Sequence, residues 1–101
     1  MTSASYRLQF SQKAIKEWRK LDNTVRRQFE AKLRERLSNP RVPSAALHGM
    51  PDCYKIKLRD IGYRLVYRVN DHMIVVTVIS VGKRDGGDAY SEAMRRLRDL
   101  D

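Results

Sequence analysis

The sequence predicts an α+β fold in which helices pack on one face of a small, mainly antiparallel sheet, and three observations carry that expectation. Apolar residues recur at helical spacing from Ala14 to Leu37, the period changes to two from Tyr54 to Val69, and a nearly continuous β-branched run follows from Met73 to Val81. The order is strand, helical hairpin, three-stranded antiparallel meander and C-terminal helix. Residues 1–101 are expected to form a single domain, because the length fits one unit of about 100–200 residues and no repeat or Gly/Ser linker divides the chain.

Each element has a local reason. Tyr6-Arg7-Leu8-Gln9-Phe10 alternates apolar and polar, as a half-buried strand does. Ser11 is a candidate N-cap for a first helix with Ala14, Ile15, Trp18 and Leu21 on one face. Asp22-Asn23-Thr24 breaks that helix and supplies new caps, after which Val25, Phe29, Leu33 and Leu37 repeat every four residues. Pro40 ends the second helix by forcing its predecessor out of the helical region. A break this short predicts an antiparallel helical hairpin, and Arg41 to Asp52 reads as loop.

Tyr54, Ile56 and Leu58 then alternate with Lys55, Lys57 and Arg59, and Tyr63, Leu65, Tyr67 and Val69 follow with the opposite parity. Burying both apolar sets on one face requires opposed residues to have opposite parity. A two-residue turn at Asp60-Ile61 meets this condition and sets Leu58 against Tyr63, Ile56 against Leu65 and Lys57 against Arg64. Asn70-Asp71 signals a second turn, and the Met73–Val81 run suits a central strand covered on both faces. After Gly86-Gly87 the chain turns helical again, with Asp88 as a candidate cap and Ala93, Met94 and Leu97 on one face.

The charge is strongly positive, with 21 Lys and Arg against 12 Asp and Glu and a formal net charge of +9. An acidic partner follows, nucleic acid being the commonest. Residues 1–50 hold 11 basic and 4 acidic side chains, whereas residues 51–101 hold 10 and 8, so the second half must use a few placed cations. Arg outnumbers Lys 14 to 7, which favours bidentate contact with phosphate. Cys53 is the only cysteine, which excludes an intramolecular disulfide and a zinc cluster of several cysteines and points to a reducing compartment. Met1–Phe10 has no apolar signal segment, and no run approaches the ~20 apolar residues of a membrane span. The expected location is cytoplasmic, with no membrane partner.

Among the conspicuous single residues, Trp18 reads as a core anchor, Cys53 as a small buried residue, and Tyr54, Tyr63 and Tyr67 as core by parity. His48 and His72 stand 24 positions apart without a third ligand, so no metal site is expected. Lys55, Lys57 and Arg64 share the face opposite the apolar set. Like charges directly opposed weaken a sheet by about a few tenths to one kcal/mol, so folding alone gives no reason for this arrangement and a ligand bearing negative charge does. Lys83-Arg84 follows the central strand, and Tyr90 lies a few residues beyond.

The strings Lys16-Glu17-Trp18-Arg19-Lys20-Leu21, Gly49-Met50-Pro51-Asp52-Cys53-Tyr54-Lys55-Ile56-Lys57-Leu58-Arg59, Gly62-Tyr63-Arg64-Leu65-Val66-Tyr67, Val78-Ile79-Ser80-Val81-Gly82-Lys83-Arg84 and Tyr90-Ser91-Glu92-Ala93 together resemble the RelE toxins of the RelE/ParE toxin–antitoxin superfamily. The resemblance runs from about Tyr6 to Arg96. It implies a type II toxin that acts as a ribosome-dependent endoribonuclease, an mRNA interferase that cuts messenger RNA in the ribosomal A site. The implied partners are the ribosome with its 16S rRNA, the mRNA, and a RelB-like antitoxin that carries the operator-DNA contact. Carried over, it implies a catalytic set of Lys55, Lys57, Arg64, Arg84 and Tyr90, working without a cofactor. That chemistry needs a proton taken from a 2′-hydroxyl, in-line attack on phosphorus, stabilisation of the phosphorane and protonation of the leaving 5′-oxygen. Tyr90 or Lys55 is the general base, Lys57 and Arg64 stabilise charge, and Arg84 serves the leaving-group side. Lys16, Lys20, Arg27, Arg34 and Lys83 are candidate RNA and ribosome contacts. The alternatives are a ParE-like inhibitor of DNA gyrase without nuclease activity, and a nucleic-acid-binding module without chemistry.

Overall fold

In a computed structural model the chain is described over residues 5–83 and 89–100. The elements are β1 (Arg7–Phe10), α1 (Gln12–Arg19), α2 (Asn23–Ser38), a 3-10 turn at Pro43–Ala45, β2 (Cys53–Leu58), β3 (Tyr63–Asn70), β4 (Val75–Lys83) and α3 (Ala89–Leu100). They form one four-stranded sheet of order β1-β4-β3-β2, antiparallel except that β1 runs parallel to β4. The α+β class and the element order are those the sequence predicts. Arg84, Gly86, Gly87 and the expected cap Asp88 lie outside the described residues.

Ser11 caps α1 as expected, its Oγ accepting the Ala14 N–H at 3.2 Å. Asp22 stands at the N-cap of α2 without a side-chain cap bond; its main-chain carbonyl accepts the Arg26 N–H at 2.9 Å. Val25, Phe29 and Leu33 are buried, and Leu37 packs against them partly exposed. Asn39, ahead of Pro40, has left the helical region at φ −152° and ψ 80°. Trp18 anchors the first helix, with ring centroids 5.0 Å from Phe10 and 6.3 Å from Phe29. Tyr6, just before β1, and Phe10 flank the core while Leu8 stays 38% exposed at the sheet edge.

The β2–β3 register is the one read from parity: Leu58 opposes Tyr63, Lys57 opposes Arg64 and Ile56 opposes Leu65. The connection is wider than a two-residue turn. Arg59–Gly62 form the loop, Gly62 takes φ +73°, and its N–H donates to the Leu58 carbonyl at 2.9 Å. The register survives because widening a loop symmetrically leaves the opposed pairs unchanged. β4 starts at Val75 rather than Met73; Met73 and Ile74 form the turn, with Ile74 at φ +55°. Between Val66 and Tyr67 the β3–β4 register slips by one residue. Ile79 is the extra residue on β4, so Gly82 comes to oppose Arg64 and Lys83 opposes Tyr63.

The helices do not all pack on one face. One apolar layer joins α1 and α2 to Ile56, Leu58, Leu65, Tyr67, Val76, Val78 and Val81, and includes Tyr54 and partly buried Tyr63. A second joins Ala93, Tyr90 and Leu97 of α3 to Met50, Cys53, Val66 and Ile79. Neighbours along β3 point to opposite faces, so α3 lies across the sheet from the other two helices. The physical reason is that Cys53, Val66 and Ile79 leave the second face apolar at its centre, and only another element can cover it.

Two buried groups show how the layers are held. Tyr67 stacks on Tyr54 at 5.7 Å, donates its hydroxyl to the Pro40 carbonyl at 2.7 Å and accepts from Arg36 Nη1 at 2.9 Å. Burial pushes the Tyr67 phenol up, against the opposing pull of Arg36. The same cause pushes the Cys53 thiol up to about 11, so Cys53 is a packed residue rather than a nucleophile.

Candidate active site

The second sheet face gathers most of the side chains that the sequence singles out as catalytic candidates. Pleating places Cys53, Lys55 and Lys57 of β2 on the same side as Arg64, Val66 and Arg68 of β3. Cys53, Val66 and Ile79 form the apolar patch under α3, and Lys55, Lys57 and Arg64 lie beside it, all half-buried. Lys57 and Arg64 are direct cross-strand partners, and Lys55 opposes Val66. Two cations have thus been set opposite each other on a rigid hairpin.

α3 completes the constellation. Tyr90, in its first turn, packs with the apolar patch, and the Arg64 guanidinium carbon stands 5.0 Å from the centre of the Tyr90 ring. Residues 26 positions apart in sequence are thereby brought into contact. Lys57 and Arg64 also line an open depression of about 220 Å³ with Leu58, Arg59, Gly62 and Tyr63. Its openness suits a polymer laid across the surface better than a small molecule enclosed in a pocket. Four of the five predicted catalytic residues therefore share one face, and the fifth, Arg84, lies outside the described residues.

Four of the five predicted RNA-contact residues lie away from this site, and Lys83 lies at its border. Lys16 is exposed on α1 and Lys20 at its C-cap, Arg27 and Arg34 are exposed on α2, and those helices cover the opposite face. Lys83 is exposed at the end of β4 beside Tyr63. The structure brings two of these cations together only as neighbours one helical turn apart, Lys16 and Lys20. Sequence reasoning passed over Arg68, which shares the parity of Arg64 and so the same face; that parity was the available signal. Among the described residues no group of three or more His, Cys, Asp or Glu could hold a metal ion, and no helix is long and apolar enough to cross a membrane.

Comparison with known proteins gives the chain close relatives of the same fold. Residues 8–86 match the family profile described as the ParE toxin of the type II toxin–antitoxin system parDE. Over 93 residues the chain is 58% identical to the mRNA interferase toxin RelE of Escherichia coli, covering 92% of this chain and 98% of that one. The free-state structure of an E. coli RelE variant superimposes with a TM-score of 0.85 at 56% identity, covering 93% of this chain and 99% of that chain. The toxin in the intact E. coli RelBE toxin–antitoxin complex matches with a TM-score of 0.77 at 61% identity, over 78% and 96% of the two chains.

Proposed function

The chain belongs to the RelE toxins of the RelE/ParE toxin–antitoxin superfamily, and from that membership we propose that it is an mRNA interferase, cutting mRNA in the ribosomal A site and neutralised by a RelB-like antitoxin in the cytoplasm. The observation that carries the catalytic reading is the meeting of Arg64 and Tyr90 beside the opposed pair Lys57 and Arg64. Like charges held opposite each other cost stability, and an anionic substrate offsets that cost. In this reading Lys57 and Arg64 hold the scissile phosphate and take up the charge of the phosphorane. Because they are fixed on adjacent strands, they need no reorganisation when that charge develops.

Tyr90 or Lys55 removes the 2′-hydroxyl proton. The freed oxygen forms a bond to phosphorus, the bond to the 5′-oxygen breaks, and a donor on the Arg84 side neutralises the leaving oxygen. The products are a 2′,3′-cyclic phosphate and a 5′-hydroxyl end. Lys16, Lys20, Arg27, Arg34 and Lys83 provide the ribosomal RNA contacts, whose affinity falls steeply with salt. Operator DNA is engaged only through the antitoxin complex.

The test is to map mRNA 5′ ends by primer extension after induction of the wild type and of Lys57→Ala, Arg84→Ala and Tyr90→Phe. New ends within translated codons that disappear in the variants are expected. Growth arrest without new RNA ends would instead indicate gyrase poisoning of the ParE kind, and neither effect would leave a binding module.

A further inference from the structure

β1 ends at Phe10, opposite Val78, so among the described residues the last part of β4 has no strand on that side. An open edge leaves main-chain groups that need partners. Three side chains supply them: Ser11 Oγ donates to the Ile79 carbonyl at 3.4 Å, and two more reach in from opposite faces of the sheet. Glu17 of α1 accepts the Val81 N–H at 3.1 Å, and Arg96 of α3 donates to the Ile79 carbonyl at 2.8 Å.

The same two side chains then join each other around the edge. Arg96 Nη1 lies 2.9 Å from Glu17 Oε1 and Nη2 lies 3.0 Å from Oε2, a two-pronged contact. Glu92, one turn earlier on α3, accepts from Nη2 at 3.1 Å, and the Arg96 side chain is 11% exposed. The apolar hold on α3 is small by comparison, with Ala93 fully buried and Tyr90 and Leu97 only partly so. An apolar contact fixes height above the sheet but tolerates sliding and rotation, whereas a forked ion pair fixes direction as well.

We infer that Glu17 and Arg96 form an edge clamp that holds α3 at the position and rotation in which Tyr90 meets Arg64. They are positioning residues for the active site, and this rests on the catalytic reading of Tyr90 given above. Neither side chain touches substrate in this scheme; the first and last helices are tied together so that the tyrosine is delivered to the cations of β2 and β3.

The test uses the full chain with Glu17→Gln, Arg96→Met and Arg96→Lys. Amide hydrogen exchange, followed by mass spectrometry, should accelerate about tenfold in α3 for the first two, with β2 and β3 peptides unchanged. Single-turnover cleavage on mRNA-programmed ribosomes should fall about tenfold at saturation, with the half-saturating ribosome concentration unchanged. Arg96→Lys, which keeps a donor for Glu17 and Ile79, should recover most of the rate, and Glu17→Gln should cost nothing further in a Tyr90→Phe background. Unchanged exchange in α3, or exchange accelerated equally throughout the sheet, overturns the clamp. Accelerated α3 exchange with an undiminished rate, where Tyr90→Phe itself is slow, overturns its positioning role. If Tyr90→Phe cleaves like the wild type, the catalytic reading of Tyr90 has failed, and the exchange result alone decides whether the clamp exists.

Discussion

Arg64→Gln should separate stability from activity. Two effects on folding oppose each other. Removing the cation relieves its opposition to Lys57, a gain of about a few tenths to 1 kcal/mol, and removes the contact with the Tyr90 ring at 5.0 Å, a loss of roughly 0.5–2 kcal/mol for a partly desolvated pair. The net loss is at most about 2 kcal/mol, and a domain of this size moves by about 4–8 °C per kcal/mol, so the melting temperature should fall by no more than ~15 °C. Against a total stability of about 5–15 kcal/mol the variant stays folded at 25 °C. Loss of a fixed charge-stabilising donor, by contrast, typically costs about 10²–10³ in rate. The assay is single-turnover cleavage on programmed ribosomes at saturation, beside a thermal melt followed by circular dichroism. Cleavage within tenfold of wild type would refute the role given to Arg64. A melting temperature lowered by more than about 15 °C would refute the energetic balance. The relief of repulsion should also shrink with added salt, because the screening length is only about 8 Å at physiological ionic strength.

Tyr67→Phe should destabilise by roughly 2–4 kcal/mol, since it removes one neutral and one charge-assisted hydrogen bond and leaves the buried Pro40 carbonyl only the longer bond from the Val42 N–H at 3.2 Å; urea unfolding should show a lower midpoint with an unchanged slope. Ile74→Gly should stabilise by about 0.5–1 kcal/mol, because a β-branched residue is strained at φ +55° and Ile74 is 44% exposed, so little burial is lost; the same urea titration measures it. The Cys53 thiol, pushed up to about 11 from an ordinary 9.0, keeps in the folded state a proton that the unfolded chain releases. Stability from this group is therefore full below pH 9 and falls as pH rises from 9 to 11. Cys53→Ala should show a shallower fall over that window in unfolding titrations stepped through alkaline pH.

Legibility in the sequence followed the range of the contact. The Lys57–Arg64 pairing was readable because alternation has a period of two, and a one-residue slip would turn every side chain of the strand to the wrong face. The start of β4 is not legible, because apolar Met73 and β-branched Ile74 continue the strand's composition into a turn that only the chain reversal reveals. Arg96 gave no signal beyond a glutamate four residues earlier, since its partner Glu17 is 79 residues away.

By itself, then, the sequence determined which residues share a face: Lys55 with Lys57, Tyr54 with Ile56, Val25 with Phe29 and Leu33. Those relations are local, and helix and strand periods impose them wherever the elements end up. Only the tertiary structure decided that α3 crosses to the second face, that the extra residue at Ile79 sets Gly82 opposite Arg64, and that Tyr90 comes to rest over Arg64. With Val66 and Ile79 making the second face apolar at its centre as well, periodicity cannot choose between the two. The choice falls to whatever patch remains uncovered once α1 and α2 have docked, and to the clamp at the open edge of β4.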